Sequence, residues 1–107
     1  MPIDRGLSIR QPFAWAVCAN VKRFENRTWT TDYRGTIAIH ASTSQQNVNE
    51  LLKYDEDGIL RKDYFEFGAI IGLADIVDVQ SYGPQHESDS SASGPYCWEM
   101  ANGRFLD

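Results

Sequence analysis

A chain of 107 residues can bury one sizeable core but not two, and with 42% hydrophobic and 23% charged residues it is neither a disordered polymer nor a fibrous repeat. The net charge of −5 argues against a polyanionic partner only on average: residues 1–42 carry six Lys and Arg against three Asp and Glu, whereas residues 43–107 carry four against twelve. A local basic field acts over about 8 Å at physiological salt, so the amino-terminal part can attract an anion although the chain as a whole is acidic.

Arg5–Ile9 reads as a short strand, and the Gln11-Pro12 step opens a helix with proline at its first position, running to about Asn20. Phe13–Ala19 is apolar nearly all round, which predicts a well-buried helix. Phe24–Trp29 and Thr36–Ser42 have strand character around the turn-rich Thr30–Gly35, predicting a hairpin-like pair. In the second of them Ile37 and Ile39 point one way and Thr36, Ala38, His40 and Ser42 the other. Thr43 followed by Gln46 predicts a capping box, with Val48, Leu51 and Leu52 as the apolar stripe of a helix that the acidic run Asp55–Asp57 and Gly58 stop. Gly68–Gln80 is the strongest strand signal and is expected to be central. Ser81–Pro95, with five serines, reads as a flexible loop with no packing of its own, and Tyr96–Met100 as the last strand.

No apolar run approaches the roughly 18 residues that span a bilayer, and Met1–Arg10 lacks the apolar stretch of a secretory signal. A cytoplasmic protein with no membrane partner is expected. Cys18 and Cys97 lack the spacing of a metal knuckle or redox motif and read as buried free thiols; no metal site and no cofactor is expected.

Chemically capable side chains gather in Lys22–Trp29, Tyr33-Arg34-Gly35 and His40-Ala41-Ser42. Lysine and arginine supply phosphate contacts, while tryptophan and tyrosine offer flat faces to unstacked bases. Lys22 and Arg27 are assigned to an anionic group, with Arg10 as a third contact. Glu25 either accepts hydrogen bonds from an exocyclic amine or holds Arg27 in place. Trp29 and Tyr33, beside a turn, either stack on a ligand or pack. His40 and Ser42 lie on the less apolar face of their strand, His40 as a ligand contact or as a hydrogen-bonded structural histidine. Alternation puts Glu25, Arg27 and Trp29 on one face, so the cluster converges only if Lys22 lies in the turn before the strand.

The segments Leu7-Ser8-Ile9-Arg10-Gln11-Pro12, Lys22-x-x-Glu25-x-Arg27 and Tyr33-Arg34-Gly35 with Ile39-His40-Ala41-Ser42 resemble those of the ASCH domain, a branch of the PUA-like β-barrel superfamily. The resemblance continues through Gly68–Gly72 and Tyr96-Cys97-Trp98. It implies a single α+β domain over residues 1–107: a small mixed β-barrel flanked by helices, with a cleft beside Lys22-x-x-Glu25-x-Arg27. It also implies RNA or nucleic-acid association, and in a few relatives hydrolysis. Three departures are visible. The glycine usually two residues before the lysine is Asn20, which can itself adopt a left-handed turn. In the amidohydrolase branch a threonine nucleophile stands where this chain has Glu25. The further glycine-containing strand that usually ends the family is missing after Asp107, which leaves an open sheet edge and predicts a homodimer.

The expected function is therefore a binding module for RNA, single-stranded nucleic acid or a modified nucleotide. One alternative is a metal-independent hydrolase, of ribonuclease or nucleoside amidohydrolase type, with Lys22 or Glu25 as general acid or base and Arg27 stabilising charge. Another is an accessory domain that contacts protein.

Overall fold

The computed structural model describes residues 5–54 and 65–106, so the acidic stop at Asp55–Gly58 lies outside the described residues. Period-two alternation produces the sheet. In β3 (Gly35–Ala41) Ile37, Ile39 and Ala41 are buried while the residues between them are partly open, as the alternation requires. β3 lies between β1 (Gly6–Ile9), which it pairs in parallel, and β4 (Ala69–Ser81), which it pairs antiparallel. β4 is the middle strand, as expected, in the order β1-β3-β4-β5-β2, where β2 is Phe24–Arg27 and β5 is Tyr96–Phe105.

The hairpin expected between β2 and β3 does not form. β2 pairs antiparallel with β5, Glu25 opposite Trp98, at the far edge of the sheet from β1. The connection over residues 28–34 is too long and too poor in primed-turn residues for a tight hairpin, and it crosses from one edge of the sheet toward the other. That crossing works because the sheet is curled into a half-barrel. In a flat sheet β1 and β2 would lie about 19 Å apart, four strand spacings, yet Arg27 Nη2 on β2 donates to Ser8 O on β1 at 2.8 Å. Register shifts at Ile39/His40 between β3 and β4, and at Leu73/Asp75 and Ile76/Asp78 between β4 and β5, add the local twist that curls it.

The concave face is filled by Leu7, Ile9, Ile37, Ile39, Ile76 and Trp98, against Ala14, Val17 and Cys18 of α1 (Phe13–Cys18). α1 is shorter than expected and buries one face only; Phe13 and Trp15 are 41% and 42% exposed, because a helix laid on a sheet covers one stripe whatever its opposite side carries. Its end is fixed by glycine: a Cβ on Gly103 would collide with the carbonyls of Val17 and Cys18. Asn20 takes the left-handed conformation expected of it, φ 63°, and its side-chain amide accepts from Gly103 N at 2.7 Å and donates to Gly103 O at 2.9 Å.

Two local expectations are corrected. α2 (Gln46–Leu52) starts without a side-chain cap, because Thr43 lies toward Gly68 at the start of β4 rather than over the helix end. The segment 81–95, read as lacking packing of its own, carries a 3-10 turn at Pro84–His86 and buries His86 and Ala92. His86 Nδ1 accepts the Gly83 N–H at 3.0 Å, which leaves its proton on Nε2, 2.6 Å from Gln80 Oε1. β5 runs five residues beyond Met100, with Gly103 inside it, and the two edges of the sheet are β1 and β2.

Cys18 and Cys97 are both free and buried, and burial pushes the Cys18 thiol up to about 11, away from thiolate chemistry at neutral pH. Among the described residues no helix is long and apolar enough to cross a membrane.

Candidate nucleic-acid interface

A cleft of about 680 Å³ opens at the seam between the two sheet edges. Ser8, Ile9 and Arg10 form one side, Lys22, Glu25, Asn26 and Arg27 the other, with Phe13 of α1 and Ser90, Ser91 and Ser93 at its rim. Lys22 enters because it stands where the argument from alternation required, in the turn before β2. Val21 N and Lys22 N both donate to Ala16 O, at 2.9 and 3.1 Å, so the turn is locked to the helix it leaves.

At the floor Glu25 sits between two cations. Its Oε1 is 3.3 Å from Lys22 Nζ, and its Oε2 is 2.8 Å from Arg27 Nη2 and 3.1 Å from Arg27 Nε. The Lys22 and Glu25 side chains are 12% and 10% exposed, and Lys22 Nζ also donates to the Phe24 carbonyl. Both carboxylate oxygens are thus engaged, the holding role open to Glu25 from the sequence. Among the charged residues that line the cleft, Lys22, Arg27 and the exposed Arg10 stand against one carboxylate, and Asp89, behind the Ser91 wall and near enough to Lys22 to feel its charge, offsets part of the surplus. Arg27 bridges Glu25 and Ser8 O, and its Nη1 has no partner among the described residues.

A residue that sequence reasoning passed over holds the other wall. The Asn26 side chain donates to Ser91 O at 2.9 Å and accepts from Ser93 N and Gly94 N at 2.8 and 2.9 Å. Ser91 Oγ accepts from Phe24 N at 3.1 Å and donates to Asp89 Oδ1 at 2.6 Å. Asp89 also accepts from Ser91 N, and the Ser91 hydroxyl first, then its amide, hold the Asp89 carboxyl below the usual range. The only available signal was an asparagine inside the Lys-x-x-Glu-x-Arg segment opposite a serine-rich stretch.

Trp29 and Tyr33 are not in this cleft. They line a second pocket of about 180 Å³ with Arg5, Leu7, Ile37 and Trp98. Trp29 stands edge-on to Trp98 with ring centroids 4.7 Å apart, and its carbonyl accepts from Trp98 Nε1 at 3.2 Å. Tyr33 donates its hydroxyl to Thr36 O at 2.6 Å, and the Arg5 guanidinium lies 4.5 Å over its ring. His40 is one step behind the cleft: its Nδ1 is 3.0 Å from the hydroxyl of Ser8, its neighbour across β1 and β3. Ser42 Oγ is buried without a partner among the described residues and does not reach the cleft. The structure therefore brings together Arg10, Lys22, Glu25 and Arg27, and leaves Trp29, Tyr33, His40 and Ser42 outside.

Among the described residues no group of three or more His, Cys, Asp or Glu side chains is placed to hold a metal ion. The chain is similar to the human protein named activating signal cointegrator 1, 35% identical over 83 residues that cover 70% of this chain and 14% of the relative, and equally to its mouse counterpart. It thus spans 14% of the length of these relatives. The family model described as ASCH domain matches residues 7–104, from β1 into β5 and across the whole Lys22–Arg27 seam, and the chain belongs to the ASCH domain family.

Proposed function

We propose that the seam cleft binds RNA, single-stranded nucleic acid or a nucleotide, with a phosphate held by Arg27, Lys22 and Arg10. The observation that carries this reading is the surplus of cations over carboxylate in a concave site large enough for a nucleotide. Membership of a family of generally RNA-binding character supports it, as does the kinship with a PUA-like barrel that the half-barrel suggests. Glu25 acts as the carboxylate that fixes Arg27 and Lys22 for the ligand.

The test is titration of a short single-stranded oligonucleotide against the parent, Lys22→Ala and Arg27→Ala at increasing salt. Each variant should bind about tenfold or more weakly, the loss of one charge-assisted hydrogen bond. Each should also lower the salt slope by about 0.7, one phosphate contact on a single strand. Folded variants that bind like the parent would reject the reading and bring forward the protein-contacting accessory domain.

A second reading, metal-independent hydrolysis, draws on one observation. Ser8, which lines the cleft, has its hydroxyl against His40 Nδ1, the pairing of a nucleophile with its base. The same titrations followed for product decide it: cleavage lost in Ser8→Ala while binding persists would support hydrolysis, and an intact oligonucleotide with the parent would reject it.

A further inference from the structure

A cleft that takes a nucleotide needs a face for the base as well as cations for the phosphate, and Trp29 and Tyr33 lie in another pocket. We infer that Phe13 is the base-stacking face of the seam cleft, and that the unit bound there is a single unpaired nucleotide whose phosphate lies on Lys22, Arg27 and Arg10. This rests on the nucleic-acid reading above and extends it to the ligand's second half.

Three observations carry it. Phe13 is the aromatic side chain that lines the cleft, and it is 41% exposed although Ala14, beside it in α1, is fully buried. A large apolar ring left open to water, in a cleft whose lining also includes Ile9, Ala16 and Val21, loses the burial it would gain in the core, and a flat base restores that burial. The ring is also tied to the phosphate side, since Lys22 Nζ stands over it, 5.9 Å from its centroid, which leaves the opposite face of the ring for a base. The opposite rim supplies hydrogen bonds of one kind. Ser91 is committed to Asp89 and Phe24, but the hydroxyls of Ser90 and Ser93 have no partner among the described residues. A hydroxyl donates or accepts with equal ease, so this rim meets the edge of any base and selects weakly among them.

The test compares AMP, CMP and ribose 5-phosphate by calorimetric titration, with upfield shifts of the base protons read by NMR. The parent should bind both nucleotides more tightly than the sugar phosphate and shift their base protons upfield. Phe13→Ala should bring the nucleotides down to the level of ribose 5-phosphate, a loss of roughly 5- to 150-fold for one stacked base. Phe13→Trp should keep the difference, and Trp29→Ala should leave it unchanged. Nucleotide binding equal in Phe13→Ala and the parent, with Lys22→Ala still weakened, would overturn the stacking role and leave the cleft reading standing. Oligonucleotide binding sensitive to Lys22→Ala, without binding of either nucleotide, would overturn the single-nucleotide unit. No binding of any of these probes or of an oligonucleotide would overturn the cleft reading itself.

Discussion

Two pockets share one seam and differ in kind. The larger is ionic and serine-rimmed, with its carboxylate saturated by two cations, and the smaller is built from Trp29, Tyr33 and Trp98 with Arg5 laid over the tyrosine ring. Between them stands the bridge from Arg27 to Ser8 O. Lys22 and Trp29 are only seven residues apart in sequence, but at about 3.3 Å per extended residue that is up to about 23 Å of chain. A run of basic and aromatic residues along a strand is thus distributed over two sites rather than gathered into one. In the first pocket the charges gather around one carboxylate; in the second the aromatic rings satisfy one another.

The largest expected effect concerns Glu25. Glu25→Ala leaves Lys22 and Arg27 covered and without their carboxylate, and should destabilise the fold by about 3–5 kcal/mol in urea unfolding. The exposed pair of Arg34 and Asp78 offers the contrast: Arg34→Ala should cost less than about 1 kcal/mol. A loss below 1 kcal/mol for Glu25→Ala would mean that the carboxylate is not the structural centre of the ionic pocket.

Asn26→Ala comes next, since it removes three hydrogen bonds that hold the 89–94 wall. About 1–3 kcal/mol of stability should be lost. Hydrogen exchange at Ser93 and Gly94 should accelerate while the Trp98 indole N–H, in the second pocket, keeps its protection. Equal acceleration at both places would show that the two pockets are one cooperative unit.

The smallest effect is acidic. The Asp89 carboxyl is lowered in the folded protein by the Ser91 hydroxyl and amide, so its contribution is present above the ordinary carboxylate value of about 3.9 and is lost as pH falls through the lower folded value. Protection of the Ser91 amide, taken relative to its intrinsic exchange rate, should therefore fall below about pH 4 in the parent. In Asp89→Asn that protection should already be low at neutral pH and vary little over the same range. An acid response unchanged by Asp89→Asn would assign it to another carboxylate, of which Asp75 is the next candidate: hydrogen bonds from Thr36 first, then Asn102, hold it low.

Much of the molecule was legible from the chain alone. The alternation of β3, the centrality of β4, the free cysteines, the left-handed Asn20 and the condition that brings Lys22 onto Glu25 all follow from preferences spanning a few residues. The motif resemblance identified the family for the same reason, its residues lying close together along the chain. Tertiary structure alone decided that β2 pairs with β5 some seventy residues away, that Thr43 leaves its helix uncapped, and that the 81–95 segment is clasped by Asn26. It also decided that Phe13 faces the cleft while Trp29 does not. Local preference determines which way a side chain points from its own strand or helix; what it points at depends on the curl of a five-stranded sheet, which brings its two edges within one arginine's reach and is a property of no single segment.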